Sequence, residues 1–229
     1  MIEYYNPSYT LINMSAIPPE MCDEILELFD SAAETEVEFD TDPDDAMKVM
    51  PVNEHEQGML KYEDKLGRWL YCIGEDNPDF ETIEMMVQPV LPKTEDFGRI
   101  SYMSIIVYPE GTQMPMHRDS ADDMDTGTVV FNLNSDFVGG EFVVDGHIIK
   151  PFEGQMIAFN NSTERWHGVL PVLGDERVTL CLWFTRVDED LDLPDYPEEV
   201  VSAQVTEQPQ EEVDDGVEKK KFQRFHIKE

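Results

Sequence analysis

The chain has 229 residues, 41% of them apolar, with 50 Asp and Glu against 16 Lys and Arg and a formal charge of −34. That length suits one domain with extensions, and 12 Phe, 8 Tyr and 3 Trp are enough to fill a core. The charge disfavours nucleic-acid phosphates and anionic membranes as partners and favours a cationic one. Cys22, Cys72 and Cys181 are odd in number and widely spaced, so no disulfide framework is expected and a reducing compartment fits best. The opening MIEYYNPSYTL lacks a basic stretch followed by an apolar run, so no signal peptide is expected. No stretch approaches the roughly 18 apolar residues of a membrane span. The expectation is a soluble, cytoplasmic protein.

Residues 1–96 read as a helical or mixed region. Pro18-Pro19 opens a helix over Glu20–Ala33, with Met21, Ile25, Leu28 and Phe29 at helical spacing. The acidic, Pro43-containing segment Glu34–Asp45 reads as a solvated loop. Trp69, Leu70 and Ile73 are expected to close a second helix after the charged stretch Glu54–Lys65. Phe80–Leu91, stopped by Pro92, makes a third.

Residues 97–187 change to short β-rich runs. They are Ile100–Tyr108, Met114–Arg118, Thr128–Leu133, Glu141–Val144, His147–Lys150, Gln155–Phe159, Arg165–Val169 and Arg177–Val187. Asp145-Gly146 is a two-residue hairpin signal between two of them. Short strands at this spacing, with no helix-length gap, predict a sandwich or barrel. Residues 188–229 form an acidic segment, expected to be disordered, that ends in the basic and aromatic cluster KKKFQRFHIKE.

The candidate chemistry lies in the β-rich region. On a strand, residues i and i+2 share a face, so His117 and Asp119 can converge on one point. His167 on a neighbouring strand would complete two imidazoles and one carboxylate, a donor set that suits non-haem Fe(II) with open positions. His167 and Arg177 are expected on consecutive strands joined by a turn at Leu173-Gly174-Asp175. Arg177, Thr179 and Cys181 then alternate to one face, with Val178, Leu180 and Leu182 on the other. A guanidinium inside an apolar barrel is costly without an anion, and a dicarboxylate supplies one.

Order and spacing of these residues resemble the Fe(II)- and 2-oxoglutarate-dependent dioxygenases, in their prolyl-4-hydroxylase-like branch. The resemblance runs through Tyr108-Pro109-Glu110-Gly111, His117-x-Asp119, Asn132-Leu133-Asn134 and Gly139-Gly140-Glu141-Phe142. It continues through His167-x-Val169-x-Pro171-Val172-x-x-Gly174-x-x-Arg177 and ends at Trp183-Phe184. It implies a mainly β fold with flanking α, in which N-terminal helices pack on a double-stranded β-helix (a cupin-like jelly roll). It also implies an iron triad of His117, Asp119 and His167, with Arg177 and its helper Thr179 on the distal carboxylate of 2-oxoglutarate. Tyr108 matches a tyrosine that lines the cosubstrate pocket. Asn132 stands where some members carry a tyrosine reaching the same carboxylate. The implied cofactors are Fe(II), 2-oxoglutarate and O₂, with ascorbate as an accessory. The implied reaction is hydroxylation of a substrate side chain with release of succinate and CO₂.

A prolyl residue of a protein or peptide, basic in character, is the leading substrate. The alternatives are a free amino acid or small metabolite, and a non-catalytic jelly-roll binding module. A nucleobase substrate is disfavoured by the acidic surface. The sequence leaves the oligomeric state open.

Overall fold

The computed structural model describes residues 2–5, 10–35, 60–119, 125–161 and 165–185. The predicted loop Glu34–Asp45 falls mostly outside them, and residues 188–229 wholly so. The described residues all belong to one compact unit.

The chain opens with β1 (Ile2–Tyr5) and β2 (Thr10–Asn13), which pair antiparallel, followed by helix α1 (Pro19–Ser31). Pro18 in extended geometry and Pro19 in the first turn start α1, because proline's fixed φ suits the one helical turn that needs no amide donor. Cys22 and Ile25 are fully buried on its inner face, the isoleucine alone contributing about 1.5–3 kcal/mol of transfer free energy. A second helix, α2 (Pro78–Val87), is capped by the Asn77 side chain, which accepts from the Asp79 amide. Phe80, Ile83 and Val87 point inward from it, and a 3-10 turn over Gln88–Val90 carries the chain to Leu91.

Between these helices the structure corrects the sequence reading. Residues 69–73 are not helical: β3 (Lys61–Glu63) and β4 (Trp69–Ile73) form an antiparallel hairpin. Asp64 makes the turn, its carboxylate accepting from the amides of Leu66 and Arg68 at 2.9 Å each, while Gly67 takes φ +76. The aromatic and aliphatic run WLYCI then lies along the next strand, where side chains from a flat apolar run pack better than on a five-residue helix.

The β-rich region supplies β5 (Arg99–Tyr108), β6 (Met114–His117), β7 (Asp125–Asn132), β8 (Val138–Gly139) and β9 (Phe142–Val144). It continues with β10 (His147–Ile149), β11 (Met156–Asn160), β12 (His167–Val169), β13 (Val172–Gly174) and β14 (Arg177–Thr185). Asp145 and Gly146 turn the β9–β10 hairpin with φ 48 and 77, as the Asp-Gly signal requires. The large sheet runs β1-β2-β11-β7-β14-β5-β4-β3, facing a small sheet ordered β10-β9-β12-β6, with β13 and β8 forming a separate pair.

Strand alternation gives the large sheet two faces. Met103, Ile105, Val107, Val129, Phe131, Leu180 and Leu182 pack against α1 and α2. Ile106, Tyr108, Val130, Ile157, Phe159 and Cys181 point the other way, into the space between the sheets, where Phe142 and Val144 of the small sheet meet them. This is the expected mainly β fold, a double-stranded β-helix with helices on the outside of its larger sheet. No helix among the described residues is long and apolar enough to cross a membrane.

Candidate active site

The mouth of the β-helix holds the predicted triad. His117 ends β6 and sits directly opposite His167 on β12, their ring centroids 4.3 Å apart. Asp119 lies two residues beyond the end of β6, so it reaches the site from the bend after the strand and not from the strand itself. One ligand atom from each of the three lies within 4.8 Å of the others. Asp119 Oδ1 is 3.4 Å from His117 Nε2 and 3.3 Å from His167 Nε2.

The remaining polar atoms of the cluster are largely committed elsewhere. His117 Nδ1 is 2.9 Å from the Pro115 carbonyl; a carbonyl only accepts, so Nδ1 carries the hydrogen and the Nε2 lone pair faces inward. Asp119 Oδ2 accepts from Thr128 Oγ1 at 2.7 Å and from Trp183 Nε1 at 3.0 Å, which aims Oδ1 at the histidines. Burial opposes ionisation of Asp119, but its contacts with His117 and His167 and the Thr128 hydroxyl outweigh it. Its carboxyl is held far below the usual range. Phe159 and Phe142 flank His167, with centroids at 4.8 and 5.8 Å, and so fix its plane.

Deeper in, Arg177 opens β14. It does not follow β12 through a simple turn: β13 intervenes, and β12 and β14 belong to different sheets. Asp175, with φ 55, bends the chain between them. Arg177 has no solvent exposure. Its Nη2 donates to Asn132 Oδ1 at 2.9 Å, while Nε and Nη1 have no hydrogen-bond partner. Burial pulls its pKa below the ordinary value, with Tyr108 and Cys181 acting against the fall. A guanidinium with two unpaired buried nitrogens is a costly arrangement that an incoming carboxylate would relieve.

Around Arg177, Thr179 is fully buried, its hydroxyl 3.5 Å from the Ile106 carbonyl. Asn132 is anchored by Gln155, its Nδ2 donating to Gln155 Oε1 at 2.8 Å; that bond orients Asn132 Oδ1 toward Arg177. Tyr108 pairs with Arg177 across β5 and β14, its ring centroid 5.2 Å from the Arg177 guanidinium carbon. Burial pushes the neighbouring Cys181 thiol up to about 11, so it is a neutral, unreactive group there. Gly140 takes φ +63, and an added Cβ would stand 3.0 Å from Arg177 Cδ, so the bare backbone makes room for the arginine stem.

The structure thus groups His117, Asp119 and His167 at one level, and Arg177, Thr179, Tyr108 and Asn132 at another. Sequence reasoning missed Thr128, whose hydroxyl bonds Asp119 across β7, and the Asp64–Arg68 pair of the β3–β4 hairpin. Arg165 is buried and braces the fold, donating to Thr10 Oγ1 at 2.8 Å and Asn160 Oδ1 at 2.9 Å, with Asp145 at 3.0 Å.

The fold and the donor set define one class, a double-stranded β-helix whose mouth groups two histidines and a carboxylate in the same inner space as a buried arginine. Residues 103–185 match the family model of the 2OG-Fe(II) oxygenase superfamily. Over 60 residues the chain is 40% identical to prolyl 3-hydroxylase 2 of Gallus gallus and 42% to that of Homo sapiens. Those matches cover 23% of this chain and only 9% and 8% of the relatives. Among solved structures, the fold is similar to a viral collagen prolyl hydroxylase from Paramecium Bursaria Chlorella virus-1, with TM-score 0.55 and 14% identity over 80% of this chain and 98% of that one. It is also similar to a Pseudomonas putida prolyl-4-hydroxylase, with TM-score 0.52 and 18% identity over 79% and 94%. A prolyl hydroxylase from Trichoplax adhaerens, in complex with a hypoxia inducible factor peptide fragment, gives TM-score 0.54 and 15% identity over 79% and 84%.

Proposed function

We propose that this chain is an Fe(II)- and 2-oxoglutarate-dependent oxygenase that hydroxylates a prolyl residue of a protein or peptide, releasing succinate and CO₂. The observation that carries the reading is Arg177, fully buried with two nitrogens unpaired, in the same inner space as a two-histidine, one-carboxylate cluster. Fe(II) and 2-oxoglutarate together supply the O₂ chemistry, with ascorbate as an accessory reductant.

The protein's part is to bind and orient. His117 and His167 offer Nε2, and Asp119 offers Oδ1 because Thr128 and Trp183 occupy Oδ2. Arg177 takes the distal carboxylate, Asn132 steadies its guanidinium, and Thr179 and Tyr108 line the same pocket. Phe142, Phe159 and Ile157 keep the inner space apolar, which strengthens each of these electrostatic contacts.

A polypeptide substrate is supported by the kind of protein the neighbours are. A cationic sequence around the target residue is supported by the chain's charge of −34. The three cysteines are free and buried, which supports a reducing, cytoplasmic setting.

The test is an anaerobic titration of Fe(II)-loaded protein with 2-oxoglutarate, followed by its visible absorption, with His117→Ala as control. A saturable band absent from the variant is expected. A folded, iron-loaded protein that develops no band would sink the oxygenase reading. Turnover of proline-containing peptides of graded charge then tests the substrate class, and equal, salt-independent rates on acidic and basic peptides would count against cationic selection.

A further inference from the structure

The β3–β4 hairpin brings a second buried arginine to the level of Arg177. Arg68 is 3% exposed, and it immediately precedes Trp69, which pairs with Val107, so it stands beside Tyr108. On the other side of Tyr108 is Arg177, its register partner on β14. One tyrosine therefore stands between two guanidinium groups, whose carbons lie 5.3 and 5.2 Å from its ring centroid.

The two arginines are not equivalent. Arg68 is paired: Nε and Nη2 donate to Asp64 Oδ2 at 2.8 and 2.6 Å. Asp64 is in turn fixed by the amides of Leu66 and Arg68 at its other oxygen. That leaves Nη1, which donates to the Tyr108 hydroxyl at 3.3 Å and to Met114 Sδ at 3.2 Å. Burial lowers the proton affinity of Arg68, but Tyr108 and Asp64 more than compensate, so the group stays a cation.

The consequence lies in the direction of one hydrogen. A guanidinium has donors and no acceptor. The Tyr108 oxygen accepts from Arg68, so its own hydrogen cannot point there, and Arg177 offers no acceptor either. Among the described residues the hydroxyl meets donors and no acceptor, and its hydrogen is left for whatever occupies the space beside Arg177.

We propose that Arg68, clamped by Asp64, is a positioning residue that turns the Tyr108 hydroxyl into a committed donor toward the carboxylate bound beside Arg177. The inference rests on the reading that 2-oxoglutarate binds at Arg177. It assigns the β3–β4 hairpin, outside the family-matched residues 103–185, a part in cosubstrate affinity. Arg68 itself touches no ligand. Its effect passes through Tyr108.

The test is a double-mutant cycle on the full chain, loaded with Mn(II) and titrated calorimetrically with 2-oxoglutarate. Arg68→Lys keeps a cation for Asp64 but is too short and too differently shaped to reach Tyr108 as well. It should weaken binding by about 10- to 100-fold, as should Tyr108→Phe, the loss expected for one hydrogen bond to a charged group. The double variant should bind no more weakly than Tyr108→Phe alone, since both changes remove the same bond. In turnover, the KM for 2-oxoglutarate should rise while kcat moves less.

Unchanged affinity in R68K, or losses that multiply in the double variant, would overturn the inference and leave the cosubstrate site intact. Arg177→Met separates the two levels: if it binds 2-oxoglutarate as the parent does, the cosubstrate reading falls and the inference falls with it. Should R68K unfold, the paired change Asp64→Asn with Arg68→Gln removes both charges together, leaves no lone buried carboxylate, and carries the same prediction.

Discussion

The triad end and the arginine end of the inner space differ in how far the protein satisfies them by itself. At the triad, Asp119 Oδ1 stands 3.3–3.4 Å from both histidines, its Oδ2 accepts from Thr128 and Trp183, and one nitrogen, His167 Nδ1, is buried without a partner. At the other end Arg177 has a single side-chain acceptor, Asn132, and two unpaired nitrogens. A cluster of two histidines and an aspartate can persist as an internal polar cluster. A fully buried, half-satisfied guanidinium is a standing cost that a bound carboxylate would relieve. The metal-ligand geometry is therefore permissive evidence, and Arg177 is the more discriminating residue.

The largest effect should come from breaking the first end. Asp119→Ala removes the one anionic ligand and should abolish Fe(II) binding and turnover together, read by metal content after gel filtration and by succinate release. The next tests the second end directly. Arg177→Met deletes a charge that the protein alone does not pair, so the ligand-free protein should melt no lower than the parent. The same change should cost about 2–5 kcal/mol of 2-oxoglutarate binding, and the ligand-induced rise in Tm should vanish. A large drop in the melting point of the ligand-free variant would mean that Arg177 is a structural strut. The smallest effect sharpens the first end: Trp183→Phe keeps the ring but loses the bond to Asp119, and Fe(II) affinity should fall by about 10- to 100-fold.

Much of this site is legible in the sequence, and the reason is local. His117 and Asp119 are two residues apart, and eight of the ten strands from β5 to β14 announce themselves as β-rich runs, two of them joined by Asp145-Gly146. What escaped is what register creates. Arg68 meets Tyr108 across 40 positions and Thr128 meets Asp119 across 9, and neither pair has a spacing that marks it. Residues 69–73 read as helix because a five-residue apolar run has too little length to show its period; pairing with β5 decided it. β8 and β13, with two and three residues, are too short to carry any pattern.

The position of β6 has a further consequence. It is the outermost strand of the small sheet, joined to β12 through two register pairs with an irregularity between them, and such a margin is where strands ordinarily fray. An ion shared by His117, Asp119 and His167 would rivet that margin to its inner neighbour. Loading the centre would then do more than equip the chemistry: it would close the seam of the β-helix, so that an iron-starved protein would be the looser container as well as the inactive one.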